Sequence, residues 1–319
     1  MFARALETGI FKGDLARAAS RIWGEIGARN LVRQLHVPKP TRVIVVGGAT
    51  LGGSGKTPVA IAWARRESES GARVTLIGHG YRAHPKRAQL VSPDSDVHDV
   101  GDEALVCARA LRGVAEVVVA KSRQSAVDFA IARGAEVLVL DGVAQISPRQ
   151  ADVAVLVVDD DAIRSNACPP MGDLRAPLAA LESHCDVVVA IALEHEVSVG
   201  IRTIGGRVVC AGARASSGVV IPLETLTKMR LGLALSIARP VRVLRQLERH
   251  GIRPAVVSFV GDHRGDQIRR VIRQQSRREP GLDAWLISEK CASFAKPTSS
   301  DTVPIYVVAH GIELVGALS

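Results

Sequence analysis

The sequence predicts an α/β fold in which a mostly parallel sheet is covered by helices, with a smaller C-terminal α/β domain. Three observations carry that prediction. Apolar, largely β-branched runs recur at Val43–Val46, Arg73–Ile77, Glu116–Ala120, Glu136–Leu140, Val153–Val158 and Asp186–Ile191. Helix-like stretches at 58–70, 102–112 and 123–133 separate most of them, and continuous apolar strands between helices mark a sheet buried on both faces. The third is a glycine-rich turn, Gly47 to Gly55, joining the first run to the first of these helices.

Size and composition bound the rest. A chain of 319 residues with 47% hydrophobic content has room for two packed domains. Aromatic residues make up only 3%, so the core must be built from Val, Leu, Ile and Ala. A net charge of +9 implies an anionic partner, for which a membrane surface, a phosphorylated substrate and nucleic acid all qualify. The shortage of aromatic platforms argues against single-stranded nucleic acid, and no nucleic-acid partner is expected. Five cysteines (Cys107, Cys168, Cys185, Cys210, Cys291) are scattered without a C-x-x-C pair. They read as reduced thiols of a cytoplasmic protein and not as a zinc site or disulfide framework. No secretory signal is evident, and no apolar run is long enough to span a bilayer.

Taken in order, residues 1–40 form a basic amphipathic segment. Phe2, Leu6, Ile10, Phe11, Leu15, Ile22, Trp23 and Ile26 recur at helical spacing through residue 36, interleaved with Arg4, Lys12, Arg17, Arg21 and Arg29. Such a helix either lies on an anionic membrane surface or packs its stripe on the first domain. Val37-Pro38-Lys39-Pro40 ends it. Residues 41–192 then form the nucleotide-binding domain and 193–319 the second domain, with a boundary near 192–205.

The turn reads Thr50-Leu51-Gly52-Gly53-Ser54-Gly55-Lys56-Thr57. A β-branched strand, a glycine-rich turn and Gly-Lys-Thr opening a helix form the P-loop arrangement. Glycines let backbone N–H groups close around phosphate oxygens, and the helix N-terminus adds partial positive charge. Lys56 reaches the β- and γ-phosphates, and the Thr57 hydroxyl holds Mg²⁺. The departure is Thr50, where the usual pattern has its first glycine.

Ligands of open parallel sheets gather at the carboxyl ends of the strands, so the residues just after each run are the ones to inspect. Gly78-His79-Gly80-Tyr81-Arg82 succeeds the second run, and Gly101-Asp102-Glu103 opens a helix after the next loop. Lys121-Ser122-Arg123 succeeds the third, and Asp141-Gly142 with Gln145 the fourth. An acidic residue ending a strand beside a P-loop is the expected Mg²⁺ partner. Each has a plainer alternative: Asp102 as a helix cap, Asp141-Gly142 as a turn, the basic residues as solvated charge. Downstream, Arg175 in Pro169–Pro177 is a candidate phosphate or carboxylate clamp. In the second domain, strands are expected at Arg207–Cys210, Ala255–Val260, Ala284–Ile287 and Pro304–Val308, with helices near 239–250 and 264–278. Asp262, His263 and Asp266 there read as metal ligands, a general-base system or a cap.

These motifs together resemble the tetraacyldisaccharide 4'-kinases of lipid A biosynthesis. The family's T-x-G-G-[ST]-G-K-T-P is matched by Thr50–Pro58, which absorbs the irregular Thr50. Its S-R-G-Y-G resembles Gly78–Arg82, its G-D-E matches Gly101–Glu103, and its P-x-G-x-L-R-E-P is similar to Pro170–Pro177. Its D-H pair is met by Asp262-His263 and its T-T-E-K-D by Ile287–Cys291. The resemblance implies ATP and Mg²⁺ as cofactors. It implies transfer of phosphate to the 4'-hydroxyl of a tetraacyldisaccharide 1-phosphate, an anionic acylated disaccharide lipid. The expected place is the cytoplasmic face of the inner membrane, as a peripheral protein. It further implies two domains closing on a nucleotide cleft, Asp102 deprotonating the sugar hydroxyl, and His263 tuning Asp102. Lys56 completes the catalytic set, Thr57, Asp141 and Gln145 the metal set, and Tyr81, Arg123 and Arg175 the substrate contacts.

The chain departs from the family pattern at three places. D-D-G-x-Q-H becomes Leu140-Asp141-Gly142-Val143-Ala144-Gln145, the arginine of S-R-G-Y-G is His79, and the aspartate after E-K is Cys291. A degenerate homologue that binds nucleotide and lipid without transferring phosphate is therefore one alternative. A P-loop GTPase or metallocofactor-delivery protein is another.

Overall fold

The computed structural model describes residues 11–78, 80, 83–159, 166–191, 202–299 and 301–315. The chain divides into two compact units: residues 1–208 with 312–319, and residues 209–311. The expected boundary at 193 falls among undescribed residues, and the stretch up to Val208 belongs with the first unit.

In chain order the first unit contains helix α1 (Asp14–Arg29), strand β1 (Val32–Gln34), β2 (Arg42–Gly48) and α2 (Lys56–Glu69). There follow β3 (Val74–Ile77), β4 (Gln89–Leu90), α3 (Asp102–Ala110), β5 (Glu116–Val119) and α4 (Arg123–Ala132). Next come β6 (Val137–Asp141), β7 (Gln145–Ser147), β8 (Val153–Asp159), β9 (Val187–Ile191) and the start of β10 (Thr203–Arg214). The sheet order is β10-β9-β8-β2-β6-β3-β5-β4. The described pairings are parallel except that of the edge strand β4.

Both faces of β2 are covered, as its unbroken apolar run requires. Ile44 and Val46 pack against Val59, Ala60 and Trp63 of α2 and Leu105 of α3. Val43 and Val45 pack against Ala126, Val127 and Ala130 of α4. The P-loop strand thus sits in the middle of the sheet, held by β6 on one side and β8 on the other. β1 and β7 form a separate parallel pair. Helical periodicity predicted helix through residue 36, but α1 stops at Arg29 and Asn30 caps it, with Asn30 Nδ2 donating to Ile26 O at 2.8 Å.

α1 packs through its smallest residues. A Cβ on Gly24 would lie 3.1 Å from the Pro177 ring, and one on Gly27 would lie 2.0 Å from Arg175 O. Ser20 Oγ donates to Cys168 O at 2.7 Å on the same face. The large apolar side chains point the other way: Leu15 is 88% exposed, Ile22 60% and Ile26 56%.

The second unit contains β11 (Val220–Ile221), β12 (Leu231–Leu235), α5 (Pro240–Arg249), β13 (Val256–Phe259), α6 (Ile268–Arg278), β14 (Ala284–Ser288) and most of β15 (Ile305–Val315). Its parallel order is β13-β12-β14-β15. Val243 and Leu247 of α5 cover one face, and Ile268 and Ile272 of α6 the other. The central strand β12 was not foreseen from sequence, because Leu-Gly-Leu-Ala-Leu is poor in β-branched residues. Gly232 is required there by the neighbouring strand: a Cβ would lie 2.6 Å from the Trp285 ring.

Candidate active site

The loop after β2 closes tightly. A Cβ on Gly48 would lie 2.1 Å from Ser54 Oγ. Gly53 and Gly55 have φ of 68° and 85°, a region open chiefly to glycine. Gly55 caps α2 without a side-chain hydrogen bond, so the first N–H groups of the helix are left for a ligand. Thr50 is 1% exposed and its hydroxyl donates to Gly52 O at 3.0 Å, pinning the turn from inside. A second strand of chain braces the loop: Leu51 N donates to Asp173 O at 2.9 Å and Arg175 N to Ala49 O at 2.8 Å.

β6 ends on Asp141, level with Val46 of the P-loop strand. Thr57 Oγ1 donates to Asp141 Oδ2 at 2.7 Å in a buried bond. Asp141 is 1% exposed, and its Oδ1 has no partner among the described residues. Burial is the main influence and pushes its carboxyl up. Lys56, the Thr57 hydroxyl and Arg123 pull it down, and Glu103 adds to the rise. Lys56, Thr57, Glu103 and Arg123 are thereby all within electrostatic reach of Asp141. A buried carboxylate oxygen without a partner, next to a threonine hydroxyl, suits a small divalent cation with oxygen ligands. Among the described residues no group of three or more His, Cys, Asp or Glu could hold a metal, so phosphate oxygens and water would have to complete the shell.

Gln145, expected beside them as a metal ligand, is engaged elsewhere. Its Oε1 accepts from Ile146 N at 2.9 Å and Ala151 N at 2.8 Å, and its Nε2 donates to His184 O at 3.3 Å. Both lone pairs of the amide oxygen are used in holding the chain after β7. Leu140, where the family pattern has an aspartate, is fully buried in the α4-side core.

Asp102 is the first residue of α3 and only 4% exposed. Gly101 before it has φ of 90°, and Asp102 Oδ1 accepts from Glu103 N at 2.9 Å. Carboxylates at a helix N-terminus are favoured by its dipole. Arg123 opens α4, and its Nη1 is buried with no partner among the described residues. Burial, then Arg33, pulls its guanidinium down, while Asp141 pulls it up. Arg175 is likewise lowered by burial and by Arg33. Arg33 thus lies within electrostatic reach of both Arg123 and Arg175. Beside Arg123 a cavity of about 540 Å³ opens at the carboxyl ends of β3 and β5, lined by Gly78, Gly80, Lys86 and Lys121 among others. Tyr81 lies outside the described residues. Sequence reasoning missed Arg33 and left Glu103 out of the site; neither carries a local signal apart from its motif or strand.

In the second unit, His263 has φ of 56°, uncommon for a residue with a side chain. It follows Asp262, whose Oδ1 accepts from His263 N at 2.9 Å and lies 3.4 Å from Lys290 Nζ. His263 Nε2 lies 3.4 Å from Asp262 Oδ2. The turn is anchored by Ser236, whose Oγ donates to Gly261 O and accepts from Arg264 N, each at 2.8 Å. Cys291, in place of an aspartate, is buried. Ser236 N and Ser288 Oγ both donate to its sulfur at 3.2 Å.

A loop folded in this way at the centre of a parallel sheet makes the first unit a P-loop NTPase-like domain. Residues 13–316 match the sequence family LpxK, described as tetraacyldisaccharide-1-P 4'-kinase. The chain belongs to that family, and the enzymes of the family are kinases. It is 33% identical over 231 residues to the tetraacyldisaccharide 4'-kinase of Dichelobacter nodosus, covering 70% of this chain and 67% of that one. To the Rhodopseudomonas palustris enzyme of the same name it is 32% identical over 247 residues, covering 76% and 71%. The crystal structure of LpxK from Aquifex aeolicus in complex with ATP superposes with a TM-score of 0.70 at 20% identity, over 94% of each chain. It establishes a shared fold.

Proposed function

We propose that this chain transfers the γ-phosphoryl group of ATP to the 4'-hydroxyl of a tetraacyldisaccharide 1-phosphate, an anionic acylated disaccharide lipid. The pairing of Thr57 with the orphaned Asp141 behind a closed P-loop is the observation that supports it most. Thr57 and Asp141 would hold Mg²⁺, which would supply neutralisation of phosphate charge. Lys56 at the start of α2 carries a further positive charge to the β- and γ-phosphates, and the backbone of 52–55 donates to them. Asp102 accepts the proton of the sugar hydroxyl, its carboxylate kept in place by the Glu103 N–H. The family pattern assigns the tuning of that base to His263. Arg123 and Arg175, with Tyr81, hold anionic and hydroxyl groups of the substrate.

The chain works at a membrane surface in this reading, peripheral on the cytoplasmic face of the inner membrane. α1 presents Leu15, Ile22 and Ile26 outward with Arg17, Arg21 and Arg29 among them, the make-up of an interfacial helix. Among the described residues no helix is long and apolar enough to cross a membrane.

The test incubates the purified chain with ATP, Mg²⁺ and tetraacyldisaccharide 1-phosphate in detergent and reads the lipid by mass. Gain of one phosphate is expected, and Asp102→Asn should lower kcat by roughly 10²–10⁴ with ATP affinity little changed. Nucleotide binding without any phosphate gain would favour a non-transferring homologue, the reading to which Leu140 and the engaged Gln145 lend support.

A further inference from the structure

The chain's positive charge is unevenly placed. Residues 209–311 contain 16 of the 41 Lys and Arg but only 8 of the 32 Asp and Glu, so this unit carries +8 of the net +9. α6 concentrates it: Ile268–Arg278 holds five arginines and no carboxylate. Ile268 and Ile272 face the core. Arg270, Arg273 and Arg277, at three- and four-residue spacing, lie on the opposite side of the helix and are exposed. The row spans roughly 10 Å.

Arg269, on the flank, is neutralised by Asp301 at 2.7 Å. Arg270, Arg273 and Arg277 have no hydrogen-bond or ion-pair partner among the described residues. Like charges three and four apart on a helix repel and weaken it. Complementing the helix dipole accounts for a basic residue in the last turn, such as Arg277, but not for Arg270 or Arg273. The row is therefore unfavourable by itself and favourable only against an anionic surface.

We propose that the outer face of α6 docks on an anionic phospholipid surface through Arg270, Arg273 and Arg277. The proposal rests on the membrane-surface reading above and adds a second point of attachment to it. An interfacial apolar segment alone attaches reversibly, and a polybasic patch is the usual second signal. A nucleic-acid partner fits the face less well. α6 carries no aromatic residue for base stacking, and Trp285 beneath it is fully buried.

The experiment measures partition of the full chain onto vesicles of phosphatidylcholine and onto equimolar phosphatidylcholine and phosphatidylglycerol. The expected result is a preference for the anionic vesicles that fades as salt rises. Arg270→Gln/Arg273→Gln/Arg277→Gln should weaken anionic binding roughly a hundredfold, about fivefold per arginine, and leave binding to neutral vesicles unchanged. Lys228→Gln/Arg245→Gln/Arg253→Gln removes the same charge from other exposed positions and should cost under tenfold. Equal losses in the two variants, or none in the first, would overturn the proposal. So would duplex DNA competing as well as anionic vesicles at matched salt. If the parent binds both vesicle types equally, the α6 face fails and the α1 reading survives. If it binds neither, the membrane-surface reading itself fails, and this proposal with it.

Discussion

Replacing Asp141 by Asn should stabilise the nucleotide-free chain while removing its response to Mg²⁺. The carboxylate is 1% exposed, accepts one hydrogen bond from Thr57 at 2.7 Å, and leaves Oδ1 without a described partner. An asparagine keeps an acceptor for Thr57 and swaps a buried charge for a neutral amide, whose own unmet hydrogen bonds cost less. The net gain is about 1 kcal/mol, or about 2–4 °C in Tm for a unit of this size. The pH dependence has a definite sign. Burial raises the folded-state pKa of Asp141, so the folded form holds its proton at pH values where the unfolded chain has lost it. The penalty is absent below about pH 4, grows as pH rises through the folded pKa, and is fully present above it. The gap between variant and parent should therefore open with rising pH. With Mg²⁺ and an ATP analogue at about a hundred times Kd, the parent gains about 2.7 kcal/mol, or about 5–10 °C. The variant should gain little beyond the nucleotide-only shift. Differential scanning calorimetry at several pH values, with and without Mg²⁺, reads all of this. A variant less stable than the parent when free of ligand, yet with the Mg²⁺ shift intact, would refute the assignment of Asp141.

Lys56→Ala should weaken ATP binding by roughly 10–150-fold, the equivalent of one charged hydrogen bond, as read by titration calorimetry, with the fold unchanged by circular dichroism. Gly27→Ala places a methyl group 2.0 Å from Arg175 O; it should cost about 1–3 kcal/mol and expose α1 to limited proteolysis. Gly232→Ala drives a methyl group into the Trp285 ring at 2.6 Å. A loss of similar size is expected, with a shift in tryptophan emission as the Ser276–Trp285 hydrogen bond of 2.8 Å is disturbed.

Where one local rule decides an element, the sequence was sufficient. β2, β6 and β8 carry continuous apolar runs because both their faces are covered. The P-loop is legible because its glycines answer a backbone requirement that no other residue meets. β12 was missed because it is poor in β-branched residues and its glycine answers to Trp285 on the next strand, information absent from the local window. Thr57 and Asp141, expected together as metal ligands, are hydrogen-bonded neighbours, one in the first turn of α2 and the other at the end of β6. Gln145 was assigned by motif alignment alone, and only the fold shows its amide spent on Ile146 and Ala151. Arg33 joined the site through β1, a three-residue strand too short to register as a pattern.

The docking of α1 through glycine has a mechanical meaning. Gly27 rests on the carbonyl of Arg175, and the amide of that same residue is bonded to Ala49, one residue before the phosphate loop begins. Helix and loop are thus separated by the backbone of a single residue, with no flexible side chain in between to absorb a displacement. Whatever fixes the position of α1 also fixes the height of the loop, and residue 175 acts as a rigid spacer between anchor and active site.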